Sequence, residues 1–407
     1  MKVLLINNCH RPRGGADTVY FGTAHNLLEA GHEVVFFSFA DDNNEKTGCP
    51  EYYIPWGGKL RHLRNYFCNR DAARTIEKLL LAEKPDIAHA HLMWGGMSGA
   101  IIPVLHKYGV PLVHSVHDYR MICPAYTFRN GKGVICEQCK NGHYLSCFKN
   151  RCSKGSAIQS ILMAGEMYYR NHKWNPAKCL DGIIYVSKFA KNKHEEMNPN
   201  FAKVKNMVLY NCTQQHNEKE KGRGDYFLYY GRLSYEKGVE QAIEAFKQLP
   251  LQKLKVVGTG PLEKSLKQKA INCRNIEFLG FKTGTELHEL VRNAQFVIVP
   301  SQWYENNPMT IVEAYSFGTP VIGSNMGGIP EIIKEGATGF VYQHDKTDSL
   351  IYAINAADKI SNDAYFQMTK MAQNFYEKYF SDKEYANKLL KFYGEVIDIF
   401  NNGRKKN

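Results

Sequence analysis

The sequence lacks any run approaching the roughly 18 apolar residues that cross a bilayer. Its most apolar stretch, Val34 to Ala40, is seven residues long and already contains Ser38. The N-terminus lacks a long apolar segment followed by a small-residue cleavage site, the pattern of a secretory leader. Met1 and Lys2 lead straight into Val3-Leu4-Leu5-Ile6, a first strand, which predicts a cytoplasmic chain. The first loop lacks the G-x-G-x-x-G of a dehydrogenase, so a nicotinamide-binding turn is excluded there. No stretch resembles a module that reads RNA or DNA. Acidic residues are in the minority, 40 Asp and Glu against 52 Lys and Arg, a formal charge of +12.

That surplus suits an anionic partner: nucleic acid, a phosphorylated small molecule or an acidic membrane face. It equally suits a soluble basic surface. One denser stretch, Lys59, Arg61, Arg64, Arg70 and Arg74, interleaves with Leu60, Leu63, Tyr66 and Phe67. A membrane-surface helix has this pattern, and so has an ordinary amphipathic one. The length of 407 residues accommodates two domains of roughly 200 each.

Two halves share one grammar. Lys2–Asn7, Glu33–Phe39, Ile87–His91, Leu112–Val116 and Gly182–Val186 read as buried strands, with helical segments between most of them. After a polar segment, Lys221 to Asp225, read as a linker, come Phe227–Tyr230, Lys253–Val257, Ile276–Leu279, Phe296–Val299 and Val321–Gly323. Alternating strand and helix predicts α/β architecture with parallel sheets covered on both faces. The expected boundaries are 1–205, with a cysteine-rich insert at 123–152, then 206–380, then 381–407, a helix from Ser381 to about Phe400 ending in a solvated tail, Gly403 to Asn407.

Ligands of such sheets bind beyond the carboxyl ends of strands, so the loops there matter most. In the first, Gly14 and Gly15 precede a helix, where backbone N–H groups can meet a phosphate. In Gly231-Arg232-Leu233-Ser234-Tyr235-Glu236-Lys237-Gly238, Arg232 and Lys237 can converge on a diphosphate, a forked guanidinium beside a compact ammonium. Gly258-Thr259-Gly260-Pro261 is a further tight turn. The richest loop leaves the strand Phe296–Val299 and enters a helix near Pro308. Glu305 lies in it and Glu313 eight residues on, so two carboxylates can address hydroxyls of one ligand. The N–H groups from Asn306 and Asn307 through Pro308 to Met309 approach a helix start that favours phosphate.

Glu305-x7-Glu313, with Gly318-Thr319-Pro320 and Gly327-Gly328-Ile329-Pro330-Glu331 after it, resembles the retaining glycosyltransferase family 4 of GT-B fold. Gly14-Gly15-Ala16-Asp17, His117-Asp118, Val186-Ser187 and Gly231-Arg232-Leu233 extend the resemblance over nearly the whole chain. Asn211-Cys212-Thr213-Gln214 departs from the family's usual Asn-Gly-Val-Asp. The resemblance implies two Rossmann-like, doubly wound domains facing each other across a cleft, the first on the acceptor side and the second holding the donor. It implies that Arg232 and Lys237 hold the donor diphosphate, Glu313 the ribose and Glu305 the transferred sugar. It places Gly15 on phosphate from the other domain and His117 toward the sugar, and it returns the last helix to the N-terminal domain. The implied partners are a nucleotide-sugar, UDP-linked before GDP-linked, and a saccharide or lipid-linked saccharide acceptor, in surface polysaccharide assembly. Contact with an anionic membrane at its inner face follows; nucleic acid does not. With no Asp-x-Asp motif, no metal is expected in catalysis.

Five of eleven cysteines fall between residues 123 and 152. The spacing Cys136-x2-Cys139-x7-Cys147-x4-Cys152 offers four thiolates to a structural zinc; free thiols and disulfides are the alternatives. Other readings of the whole chain are a sugar-nucleotide epimerase of the same architecture and a non-catalytic subunit that binds nucleotide-sugar or scaffolds other transferases. A zinc-dependent nucleic-acid binder would explain charge and cysteines but not the second half.

Overall fold

The computed structural model describes residues 1–55, 58, 65–214 and 222–404. Lys59, Arg61 and Arg64 of the basic stretch, Lys221 of the expected linker and the last three residues lie outside them.

The chain divides into two compact units, one of Met1–Tyr210 with Tyr385–Asn407, the other of Asn211–Glu384. The first is built on β1 (Lys2–Asn7), β2 (Glu33–Phe39), β3 (Glu51–Ile54), β4 (Ile87–Leu92), β5 (Leu112–Val116), β6 (Gly182–Tyr185) and β7 (Asn206–Val208). These form one parallel sheet in the order β3-β2-β1-β4-β5-β6-β7. The second unit carries β8 (Phe227–Tyr230), β9 (Leu254–Val257), β10 (Ile276–Gly280), β11 (Phe296–Val299), β12 (Val321–Ser324) and β13 (Gly339–Tyr342). Their order is β10-β9-β8-β11-β12-β13, again all parallel.

Helices cover both faces of such sheets, so their central strands have no solvent side and read as unbroken apolar runs rather than alternating ones. Val3, Leu4, Leu5 and Ile6 of β1 are wholly buried, and so are Phe296 and Val297 of β11. Each such side chain removed from water contributes about 1.5–3 kcal/mol. The strands absent from the sequence reading are β3, β7 and β13, which have only three or four residues each and lie at sheet edges. Fewer apolar neighbours cover an edge, so the apolar run that marks a central strand is weak there.

Two expectations are corrected. Arg223 and Gly224 are packed rather than part of a free linker: Arg223 donates to the carbonyls of Ile360 and Asp358, each at 2.7 Å. A Cβ on Gly224 would stand 2.1 Å from the carbonyl oxygen of Asn293. Gly403 and Arg404 do not begin a tail; they complete the helix Asp382–Arg404. From Tyr385 onward that helix belongs to the first unit. The Tyr385 hydroxyl meets Thr23 Oγ1 at 2.9 Å, and the Tyr393 hydroxyl meets His89 Nδ1 at 2.6 Å, both buried.

In both sheets the strand order reverses once, between β1 and β4 and between β8 and β11. At such a switch point neighbouring loops diverge and leave a crevice at the carboxyl ends of the strands. The Gly14–Gly15 loop follows β1, and the loops bearing Arg232 with Lys237 and Glu305 follow β8 and β11.

Candidate active site

In the second unit, Tyr229, Tyr230, Gly231, Lys237, Pro300, Ser301, Glu305, Pro308 and Thr310 line a cavity of about 90 Å³ at the β8/β11 switch point. Lys237 Nζ lies 2.7 Å from Glu305 Oε1, and Ser301 Oγ donates to the same oxygen at 2.7 Å. The carboxylate side chain is 8% exposed and the ammonium's 32%. Burial pushes the Glu305 pKa up, but the Lys237 charge and the hydrogen bonds from Lys237, Trp303 and Ser301 together pull harder, and the net shift is downward. Glu305 is therefore an ionised acceptor at neutral pH. Lys237 also stands 5.4 Å over the Trp303 ring. Arg232 is exposed and has no acidic partner among the described residues, so its five donors are open to an incoming anion.

Backbone packing places these loops. Gln302 N–H donates to the Glu236 carbonyl at 2.8 Å, stitching the β8 loop to the β11 loop. Gly327 stands directly beneath Glu305: its φ is +62°, and a Cβ there would lie 2.1 Å from the Glu305 carbonyl oxygen. Gly328 N–H donates to that same carbonyl at 2.7 Å. The glycine pair thus forms the floor that sets the height of Glu305. Gly260 has a similar reason to be glycine, since a Cβ would meet the Leu233 carbonyl oxygen at 2.4 Å.

The helix after this loop is Met309–Ser316, and Pro308 is its cap rather than its first residue, with an extended ψ of 121°. Asn307 is committed to holding the loop: its Oδ1 accepts from Asn211 N at 2.8 Å, and Asn211 Nδ2 donates to its carbonyl at 3.0 Å. Asn211, which opens the segment that departs from the family pattern, is thus a positioning residue that motif reading had not singled out. Asn306 is buried beside it. Glu313, about one turn into the helix, is packed by protein, and burial pushes its pKa up to about 7 against a hydrogen bond with Tyr230. The Tyr230 hydroxyl itself donates to the Thr310 carbonyl at 2.8 Å.

In the first unit, Gly14 caps the helix Gly15–Glu29 with an extended backbone, φ −168°. A Cβ on Gly14 would meet nothing within 4 Å. The fold therefore makes no demand for glycine at this position. Asp17 fixes the loop from below: Oδ1 accepts from Asn7 Nδ2 at 2.8 Å and Oδ2 from Arg13 N at 3.3 Å. His117 follows β5, and its Nε2 lies 2.9 Å from Nδ1 of His91, at the end of β4, with the two rings stacked. Burial, reinforced by His114, pushes the His117 pKa down to about 3, so the imidazole is neutral and acts through hydrogen bonds rather than charge. Nε2 of His91 is buried with no hydrogen-bond partner among the described residues. His89 and His91 alternate in β4, so a period-two His-x-His in a strand beside His114 and His117 was the signal that could have found this cluster.

The thiols of Cys136, Cys139, Cys147 and Cys152 share one insert, as free cysteines. Cys147 and Cys152 hydrogen-bond to each other, which lowers the pKa of Cys152 and raises that of Cys147. Among the described residues no group of three or more His, Cys, Asp or Glu side chains is arranged to hold a metal ion, so the zinc reading gains no support.

The profile of Glycosyltransferase Family 4 matches residues 13–213, and that of Glycosyl transferases group 1 matches residues 213–377. The chain belongs to this glycosyltransferase family. An uncharacterized 42.6 kDa protein in the cps region of Klebsiella pneumoniae is 27% identical over 82% of this chain and 87% of its own length. The lipopolysaccharide 1,2-N-acetylglucosaminetransferase of Salmonella typhimurium is 35% identical over 32% of this chain and 38% of its own. Among solved structures, Anabaena Alr3699/HepE in complex with UDP superposes with a TM-score of 0.70 at 16% identity, over 97% of this chain and all of that one. The same protein has also been solved with UDP-glucose. The shared fold is GT-B. No helix among the described residues of this family 4 chain is long and apolar enough to cross a membrane.

Proposed function

We propose that this glycosyltransferase moves a hexose from a UDP-sugar, with GDP-sugar as the second choice, to a saccharide or lipid-linked saccharide, with retention at the anomeric carbon. The observation that carries the donor assignment is the convergence of Lys237, Ser301 and Glu305 at the β8/β11 switch point, with Arg232 exposed on the same β8 loop as Lys237. Arg232, Lys237 and the N–H groups leading into the helix Met309–Ser316 would hold the diphosphate. Charge developing on it as the sugar departs is stabilised there by preoriented donors. Glu305 would accept from hydroxyls of the transferred sugar and Glu313 from the ribose. Gly14, Gly15 and the neutral His117 are the candidate contacts of the first unit. The UDP complexes of the Anabaena protein and the cps-region and lipopolysaccharide relatives support a UDP-sugar and a surface-polysaccharide role.

Calorimetry with UDP, GDP and ADP tests the donor assignment, run from pH 6 to 8 on wild type and Glu313→Gln. Only ionised Glu313 accepts from both ribose hydroxyls, so UDP affinity should rise several-fold as pH climbs through about 7. Glu313→Gln should bind more weakly and lose that rise. No response to any nucleotide would return the chain to the non-catalytic subunit reading. The ligand-free protein behaves oppositely: a raised folded pKa means the folded state holds the extra proton, so Glu313 lowers stability as pH rises from 4.5 to about 7.

The chemistry assigned here uses no metal, so EDTA should leave both transfer and melting temperature unchanged. Lost transfer would overturn that assignment. A lower melting temperature with intact transfer would return a structural zinc to Cys136, Cys139, Cys147 and Cys152.

A further inference from the structure

Nothing in the proposed donor site accounts for the row of histidines in the first unit. His89 and His91 lie in β4, His114 in β5, and His117 in the loop that β5 enters. β4 and β5 run parallel with Ala90 opposite His114, so the end of β4 comes level with the start of that loop. His89, His91 and His114 are buried, and His117 is half-buried.

Two of these rings have bonds that ask nothing of their neighbours. His114 donates from Nδ1 to the Ala90 carbonyl at 3.0 Å. His89 lies between the Tyr393 hydroxyl, 2.6 Å from Nδ1, and the Ser115 hydroxyl, 2.8 Å from Nε2, and a hydroxyl can give or take. His91 and His117 bond to each other instead. Nδ1 of His91 meets Nε2 of His117 at 2.9 Å, with 10° between the ring planes. Burial holds both rings neutral, so each has one N–H and one of the two facing nitrogens is bare.

The direction of this bond follows from the far side of His91. Its Nε2 is buried with no hydrogen-bond partner among the described residues. Its ring neighbours, His89 at 4.3 Å and Tyr20 at 5.6 Å between centres, offer it none. If His117 were the donor, the His91 proton would sit on Nε2, a buried N–H without an acceptor. If His91 is the donor, Nε2 is a bare lone pair. A buried acceptor lacking a donor is better tolerated than a buried N–H lacking an acceptor.

We propose that His91 is a positioning residue: it donates from Nδ1 to Nε2 of His117 and so fixes His117 as the tautomer whose one N–H is on Nδ1. A neutral imidazole in water favours the proton on Nε2, so the fold imposes the less common form. With Nε2 engaged as an acceptor, His117 can give a hydrogen bond from Nδ1 but is not available as a base at Nε2. The functional consequence rests on the reading of His117 as a contact to the transferred sugar, where the ring then serves as a donor to a sugar oxygen.

The test reads the tautomer in the ligand-free full chain, labelled with nitrogen-15 histidine at neutral pH, by magnetic resonance of the ring nitrogens. His117→Gln deletes the His117 signals and thereby assigns them. In wild type, Nδ1 of His117 should be protonated and Nε2 bare. His91→Phe, which keeps a flat ring but removes the donor, should return the His117 proton to Nε2. His91→Asn, whose amide can place an N–H where Nδ1 stood, should keep it on Nδ1. A wild-type His117 protonated on Nε2, or an unchanged tautomer in folded His91→Phe, overturns the proposal; the wild-type spectrum decides it alone if that variant does not fold. In transfer assays His91→Phe should lower kcat by about tenfold or more with donor KM within about twofold, and His91→Asn should recover most of the loss. A changed tautomer with unchanged kcat would leave the role of His91 standing and remove His117 from the sugar contact.

Discussion

Lys237→Ala should lower turnover by about 10²–10³-fold and weaken UDP binding by about tenfold or more. The ammonium has two tasks in the proposed site: it keeps Glu305 ionised, and it presents a cation where the diphosphate must lie. Its removal leaves a buried carboxylate with only neutral hydrogen-bond donors such as Ser301 to oppose burial, so the pKa of Glu305 should climb and the free protein should lose stability. A fully buried ion pair broken on one side costs about 3–5 kcal/mol. Here the ammonium side chain is 32% exposed, so about 2 kcal/mol is the expected scale. Lys237→Arg should recover part of the stability, because the charge is restored, but less of the turnover, because a planar fork cannot reproduce the ammonium's position. Steady-state kinetics with calorimetry on both variants distinguishes these contributions. Turnover within a few-fold of wild type in Lys237→Ala would remove the residue from the site.

Gly327→Ala should be nearly as damaging, though its side chain would touch no substrate. The added Cβ would stand 2.1 Å from the Glu305 carbonyl oxygen, well inside contact distance, and that oxygen also holds Gly328 N–H. Either the floor drops or the Glu305 loop lifts, and a displacement of about 1 Å in a positioning loop costs on the order of 100-fold in rate. Part of any effect will be backbone strain, since φ is +62°. Gly336→Ala isolates that part: its φ is +69°, yet a Cβ there meets nothing within 4 Å. Strain alone costs about 1–2 kcal/mol of stability. The expected result is a similar small loss of stability in both variants, with loss of turnover confined to Gly327→Ala. Equal activity in the two would show that the glycine pair does not set the height of Glu305.

Much of this architecture was legible in the residue order. Strands such as β1, β2, β5, β8 and β11 announce themselves because both faces of a parallel sheet are covered, so every position must be apolar and the run stands out against its turns. The family resemblance was carried by loops for a related reason: groups that approach a phosphate or a sugar must sit at strand ends, at spacings fixed by the helix that follows. Edge strands β3, β7 and β13 were invisible because few neighbours demand apolar residues of them. Arg223–Asp225 looked like a linker because its composition is polar, whereas the role of Arg223 depends on carbonyls more than a hundred residues away.

What the sequence determined by itself was therefore local and repetitive: which segments are strands, that two α/β halves follow one another, and which loops carry glycine, cation and carboxylate. What only the tertiary structure decided was which of those groups act on one another. That Lys237 and Glu305, 68 residues apart, form an ion pair is such a fact, as are the seating of Gly327 under a carbonyl and the stacking of His91 on His117. So is the difference between two glutamates eight residues apart, one pulled down by an ammonium and one pushed up to about 7 by burial. The physical reason is that ionisation and close backbone approach depend on distances in space, set when the β8 and β11 loops meet, and spacing along the chain does not encode them.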